Sequence, residues 1–257
     1  MNPEYPIDFS LAGTLALITG AGRGNGEAIA LGMSAAGARV LLADVDEAAA
    51  QAVASTIRAR GGDARAYGLD ITDRAACQAL AERIAQEAGD VSCLVNNAGV
   101  LLHGRFGDAL APEKWQRTLD VNVQGTLNMT HAFLPALRNT RGNVINLGSI
   151  ASFLSSSAST AYAASKGAIA QITRSLAAEL AADGIRVNAI APGTIDTAMT
   201  AKLKTDPERL RVFELHTPMR RIGRPSELAG PAIFLASSAA SYITGVILPV
   251  DGGYLIA

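Results

Sequence analysis

Apolar residues along the chain fall into two alternating rhythms. Residues 14–19 (TLALIT), 38–44 (ARVLLAD), 91–96 (VSCLVN), 143–147 (NVINL), 185–190 (IRVNAI) and 246–250 (VILPV) are short aliphatic runs, and 64–69 is a weaker seventh. Runs of this length bounded by polar residues or glycine read as strands buried on both faces. Between them, residues 27–36, 47–60, 75–88, 112–137, 162–182 and 226–236 carry apolar positions at helical spacing, with glycines such as Gly61-Gly62, Gly89 and Gly184 marking helix ends. Short strands separated by helices predict an α/β fold, a parallel sheet of seven strands with helices on both faces.

The alternation continues to Asp251-Gly252-Gly253, with no linker, low-complexity block or internal repeat, so one domain is expected over residues 1–257. Residues 194–219 interrupt it with a mixed, charged stretch. An insertion after a strand's carboxyl end lies over the ligand crevice of such a sheet, which makes this stretch a candidate substrate lid. An ordinary surface excursion is the other reading.

Composition narrows the classes. With 49% hydrophobic and 18% charged residues among 257, the chain can bury a sizeable core, and disorder is not expected. The mean hydropathy of +0.22 comes from alanine spread through the helical patterns. No stretch approaches the ~18 apolar residues of a membrane span. Buried subunit contacts would account for the apolar excess, so an oligomer is expected. A net charge of −1 gives no reason to expect nucleic acid or membrane as a partner. Residues 1–10 carry Glu4 and Asp8 and lack the pattern of a secretory signal, so a cytoplasmic location is expected by default. Cys77 and Cys93 have no ligand spacing and read as reduced structural thiols, and no metal is expected. His103 and His131 stand alone, and Trp115 reads as packing.

Two clusters carry candidate chemistry. Gly20, Gly24 and Gly26 follow the first strand and open a helix. Glycine there lets the backbone turn sharply and bring N–H groups and the helix dipole to a pyrophosphate. Taken alone, the cluster fits a tight turn as well, and it lacks the Lys-Ser/Thr pair of a P-loop. Asp44 ends the next strand, eighteen residues past Gly26. A carboxylate there accepts both ribose hydroxyls of an adenosine and repels a 2′-phosphate, favouring NAD over NADP, whereas Arg23 in the turn pulls the other way. Asp70, followed by Ile71, could meet the adenine edge or belong to a helix N-cap region before Asp73.

Tyr162 and Lys166 form the second cluster. Four residues apart on a helix, they share a face. A phenol with an ordinary pKa of about 10 needs a downward shift of roughly 3 units to act as a base near neutral pH, and a nearby ammonium supplies part of it. The same spacing is common on solvated helices. Ser149, thirteen residues before Tyr162 at the end of the strand 143–147, adds a hydroxyl on the crevice side.

With these residues in place, the chain resembles the short-chain dehydrogenase/reductase family from about Leu11 to Leu255. The resemblance rests on Thr19-Gly20-x-x-x-Gly24-x-Gly26, Asn96-Asn97-Ala98-Gly99, Asn122 in Val121-Asn122-Val123-Gln124-Gly125, Ser149, Tyr162-x-x-x-Lys166 and Pro192-Gly193. It implies a Rossmann-type doubly wound sheet and a homotetramer or dimer. It implies Tyr162 as general acid/base, Lys166 holding the nicotinamide ribose and lowering the tyrosine pKa, Ser149 orienting the substrate oxygen and Asn122 anchoring a relay water. Asn96, Ala98 and Gly99 would shape the adenosine side. Pro192, Gly193, Thr194, Ile195 and Thr197 would frame the nicotinamide. Asn25 departs from the isoleucine or leucine usual at its position and makes the local cofactor contact an open question.

The expected activity is hydride transfer between a secondary alcohol and NAD. The polar run Ser155-Ser156-Ser157 and the charges Lys202, Lys204, Arg209, Arg211 and His216 suggest a sugar, polyol or hydroxy acid, although lid charges can simply face water. The alternatives are reduction of a 3-oxoacyl thioester with NADPH, a nicotinamide-binding sensor, and a methyltransferase. Neither of the last two has a use for Ser149, Asn122, Tyr162 and Lys166 together.

Overall fold

The computed structural model describes residues 8–155 and 159–257. Ser156, Ser157 and the segment 1–7 lie outside the described residues, as do the side chains of Lys202, Lys204 and Arg209.

Seven strands form one parallel sheet: β1 Leu15–Thr19, β2 Arg39–Asp44, β3 Ala64–Gly68, β4 Cys93–Asn96, β5 Asn143–Leu147, β6 Arg186–Pro192 and β7 Ile247–Val250. Their order is β3-β2-β1-β4-β5-β6-β7, and every neighbouring pair is parallel. The chain winds outward from β1 to β3, then returns to β4 and winds the other way. The point of reversal therefore lies between β1 and β4, where the carboxyl ends of the strands open a crevice.

Alternation along each strand divides the core in two. Ala16 and Ile18 of β1 pack with Ile29 and Met33 of α1 (Gly24–Ala35), Val53 and Ile57 of α2 (Glu47–Ala59) and Leu235 of α9 (Ala229–Ala236). Leu15 and Leu17 face the other way. They join Ile84 of α3 (Arg74–Glu87), Met129 and Phe133 of α5 (Thr126–Thr140), and Leu180 of α6 (Thr160–Leu180). Helices thus cover both faces, and β1 and β5 are buried along their whole lengths. Asp46 and Asp73 cap α2 and α3 by accepting from the N–H groups of Ala49 (3.1 Å) and Ala76 (3.0 Å).

Three segments differ from the sequence reading. The long helix expected over 112–137 is α4 (Ala111–Leu119), a π-helical turn over Asp120–Gly125, and then α5. The helix expected from Ser226 opens as a tight 3₁₀ turn, Pro225–Leu228. Residues 194–219 hold α7 (Ala201–Lys204) and α8 (Pro207–His216) where a mixed charged stretch gave no period. No helix among the described residues is long and apolar enough to cross a membrane.

Candidate active site

The carboxyl ends of β1, β4, β5 and β6 open into a cleft of about 290 Å³. Ser149, Tyr162 and Lys166 line it, together with Asn25, Asn97 and Gly99 from the first half of the sheet and Pro192, Gly193, Thr194, Ile195 and Thr197 from the segment after β6.

The reactive corner is built by β5 and α6. Gly148 continues β5 by donating to the carbonyl of Ile190 (2.7 Å), which brings Ser149 to the crevice. The Ser149 hydroxyl accepts from the N–H of Ala151 (3.1 Å), and Ser152 donates to the carbonyl of Lys166 (2.8 Å), tying this turn to α6. Lys166 is 5% exposed, and its ammonium donates to the carbonyl of Leu147 at 2.6 Å. It lies 5.7 Å from the centre of the Tyr162 ring. Burial pushes the Lys166 amine down to about 8.

The phenol does not behave as its spacing from Lys166 suggested. Burial raises the Tyr162 pKa, and the hydrogen bond with Ser149 only partly offsets it. The physical reason is burial: taking a phenolate out of water costs more than the Ser149 hydrogen bond returns, while the Lys166 ammonium is bonded to the Leu147 carbonyl.

Asn122 sits in the π-helical turn, 1% exposed. Its side chain accepts from the N–H of Val100 (2.8 Å) and donates to the carbonyl of Val100 and the hydroxyl of Ser165 (both 3.0 Å). A Cβ at Gly99 would lie 3.2 Å from its oxygen, so the missing side chain leaves room for this amide.

The glycine turn forms the facing wall. Gly20 and Gly24 have φ of 62° and 59°, in the left-handed region glycine favours. A Cβ at Gly26 would fall 2.2 Å from the carbonyl oxygen of Gly20. Arg23 flanks the turn as an exposed residue in extended backbone before α1. Asp44 is 7% exposed and accepts from the N–H of Gly22 (2.9 Å) and of Asp46 (3.0 Å), which fixes its carboxylate beside the turn. The exposed Asp70 accepts from the N–H (2.9 Å) and hydroxyl (2.7 Å) of Thr72, and these bonds lower its pKa. Ile71 is buried against Gly125, and its carbonyl accepts from Asn128 (3.0 Å).

Asn96 requires a correction. It does not shape the adenosine side, because it is sealed beneath the crevice, donating to Thr130 (3.1 Å) and Asn146 (2.9 Å). The next residue does the work at the turn. Asn97 donates to the carbonyls of Thr19 and Gly20, both at 2.9 Å, while the Thr19 hydroxyl accepts from the N–H of Asn97 and of Ala98, both at 3.1 Å.

Sequence reasoning also passed over His103 and Tyr254. His103 lines the cleft, with Nδ1 3.3 Å from the hydroxyl of Ser159, one turn before Tyr162. Tyr254 reaches the cleft because Asp251 accepts from the N–H of Gly253 and of Leu255 (both 2.9 Å), curling the chain back. Phe213 and His216 of α8 pack on its ring at 5.9 and 4.4 Å between centres. Met199, Thr200, Leu203 and Phe213 complete the wall from residues 194–219, and Arg211 is exposed. Trp115, expected to be packed, is 36% exposed. Among the described residues no group of three or more His, Cys, Asp or Glu is placed to hold a metal ion.

A nicotinamide dinucleotide fits this donor set. The turn offers backbone N–H groups without side chains, Asp44 stands at one end, and a buried side-chain oxygen of Asn25 in the cleft wall has no hydrogen-bond partner.

Comparison with known proteins agrees. A family model described as enoyl-(acyl carrier protein) reductase matches residues 20–255. The galactitol 2-dehydrogenase (L-tagatose-forming) of Cereibacter sphaeroides is 42% identical, over 98% of this chain and 99% of its own. The rhamnolipids biosynthesis 3-oxoacyl-[acyl-carrier-protein] reductase of Pseudomonas aeruginosa is 37% identical, over 96% and 98%. The crystal structure of a gluconate 5-dehydrogenase from Burkholderia cenocepacia in complex with NADP and tartrate superposes with a TM-score of 0.94 at 35% identity, covering 97% of this chain and 98% of that one. Together with the converging Ser149, Tyr162 and Lys166, these matches place the chain in the short-chain dehydrogenase/reductase family, as an oxidoreductase acting on CH–OH groups.

Proposed function

We propose that the protein is an NAD-dependent dehydrogenase that oxidises a secondary hydroxyl of a sugar, polyol or related hydroxy acid. The convergence of Ser149, Tyr162 and Lys166 on one cleft, opposite a glycine turn, carries this reading. A bound nicotinamide dinucleotide supplies the hydride acceptor or donor and, when oxidised, a positive ring that favours the phenolate. Tyr162 exchanges the proton with the substrate oxygen, as base in oxidation and as acid in reduction. With its pKa raised, the phenol is held as the acid at neutral pH, ready to donate to a carbonyl oxygen. Ser149, bonded to the phenol, orients the same substrate oxygen. Lys166 holds the nicotinamide ribose, and Asn122 anchors the water that relays its protons to bulk. Residues 194–219 act as the lid, with Met199, Leu203 and Phe213 closing over the substrate.

Asp44 supports NAD. Its carboxylate is pinned by Gly22 and Asp46 where a ribose diol fits and a 2′-phosphate is repelled. The NADP in the gluconate 5-dehydrogenase structure and the exposed Arg23 argue the other way. Support for the substrate class comes from the galactitol relative and from the polar pair His103–Ser159 beside Tyr162. A second reading, 3-oxoacyl thioester reduction with NADPH, draws on the Pseudomonas relative and on the apolar wall of Leu101, Leu154, Met199 and Leu203.

Steady-state rates with NAD and NADP against polyols, sugar acids and a 3-oxoacyl thioester separate the two. Expected are turnover of polyols or sugar acids and a preference for NAD of at least roughly tenfold, about 1.4 kcal/mol. Replacing Asp44 by Ala narrows that preference. Turnover confined to the thioester with NADPH overturns the proposal.

A further inference from the structure

Leu154, Met199, Leu203 and Phe213 give much of the cleft an apolar lining. His103 and Ser159 interrupt it next to Tyr162. Ser159 is the N-cap of α6. A serine there ordinarily turns its hydroxyl onto the N–H groups of the first helical turn. This one makes no such bond. Its carbonyl accepts from the N–H of Ala163 (2.9 Å), so it belongs to the turn that carries Tyr162, and its hydroxyl lies 3.3 Å from Nδ1 of His103 instead.

His103 is held from a second direction. Lys114 of α4 donates to its carbonyl (2.9 Å), and a Cβ at Gly104 would come within 3.1 Å of the same ammonium. With Nδ1 facing Ser159, Nε2 is the ring nitrogen left for a ligand. Residues three apart on a helix stand about 5–6 Å from one another at Cβ. A substrate whose reacting oxygen meets Tyr162 therefore carries the substituent of its next carbon toward this pair.

A hydroxyl fits the pair better than a carboxylate does. It both donates and accepts, so it matches either neutral form of the imidazole. A carboxylate calls for a cation. Among the described residues Lys166 is the only lysine or arginine lining the cleft, and it is bonded to Leu147.

We infer that His103 is the specificity-determining residue for the carbon next to the reacting one, its Nε2 hydrogen-bonding a second hydroxyl of the substrate while Ser159 fixes the ring. The inference rests on the alcohol-oxidising reading of the site and narrows it to vicinal diols.

Rates with saturating NAD for trans-cyclohexane-1,2-diol and for cyclohexanol test this, because the two differ by that hydroxyl alone. The unaltered protein should favour the diol in kcat/KM. His103→Leu should lower the diol-over-alcohol ratio by about 3- to 12-fold, the range of one lost hydrogen bond. Ser159→Ala keeps the imidazole but frees it, so the ratio should fall in the same direction by less, and this variant serves if the leucine one does not fold. His103→Gln, which keeps a donor and an acceptor, should restore part of the ratio. A ratio left unchanged in the folded variants, or an unaltered protein with no preference for the diol, overturns the inference and leaves alcohol oxidation standing. An unaltered protein that oxidises neither alcohol nor any polyol overturns that reading itself, and the inference falls with it.

Discussion

At the glycine turn the working surface is backbone, and its residues matter for the side chains they lack. Gly20 and Gly24 hold positive φ, and Gly26 lies so close to Gly20 that a methyl group has no room. At the reactive corner across the cleft, the working groups are side chains held by burial: Lys166 is 5% exposed and bonded to Leu147, and Ser149 is 8% exposed. The turn offers main-chain donors to a phosphate with no buried ionisable side chain of its own to desolvate. The corner carries the opposite balance. Its groups are specific because they are buried, and burial drives both ionisable members toward their neutral forms. Binding and chemistry in this cleft are therefore sensitive to different kinds of change.

The sharpest test of that contrast is Tyr162→Phe. It removes the proton-exchanging group and leaves the turn untouched, so turnover should fall by ~10²–10⁴-fold while the affinity for the dinucleotide changes little. Stopped-flow hydride-transfer rates with parallel binding titrations read both, and near-normal chemistry in this variant would remove Tyr162 from the mechanism.

Lys166 gives a pH signature in the protein without dinucleotide. Its folded-state pKa of about 8 lies below the ordinary lysine value of about 10.4. Below pH 8 the ammonium is charged in both states, and its burial opposes folding by a constant amount. Between about 8 and 10.4 the folded protein has released the proton while the unfolded chain keeps it. Stability from this group therefore rises with pH there, by roughly 1.4 kcal/mol per unit. Urea unfolding of the wild type minus Lys166→Met isolates the effect. A difference that stays flat from pH 7 to pH 10 contradicts the burial argument.

A smaller effect separates the turn from the corner in the other direction. Gly26→Ala forces a methyl against the Gly20 carbonyl and Asn97 Nδ2. Overpacking of this kind costs about 1–3 kcal/mol. Its main functional sign should be weaker dinucleotide binding in titrations, with the chemical step at saturation retained. A loss confined to the chemical step would mean that the turn and the corner are not independent.

The sheet was legible because its strands are buried on both faces, so their aliphatic runs stand out from helical spacing. The glycine turn and Asp44 were legible because phosphate and ribose recognition demand fixed residue types at fixed separations. Other features left no such trace. Asn96 and Asn97 are the same residue type side by side, and only strand geometry tells that the first is sealed inside and the second holds the turn. His103 meets Ser159 across a long stretch of sequence, with no local pattern to announce it. The helices α7 and α8 stand in a charged stretch whose period is blurred, because the apolar residues Val212 and Leu215 are exposed while Phe213 meets the cleft. The spacing of Tyr162 and Lys166 was visible, but the carbonyl that captures the lysine was not.

The π-helical turn at Asp120–Gly125 stores roughly one residue more than a regular helix of that length would hold. Removing one residue from the turn would let it close into a regular helix with Met129, Phe133 and Leu137 still against the sheet. Adding one would rotate all three by about 100° away from it. The segment should therefore tolerate shortening by one position far better than lengthening by one, and a scan of single deletions and insertions through positions 120–125 reads that asymmetry.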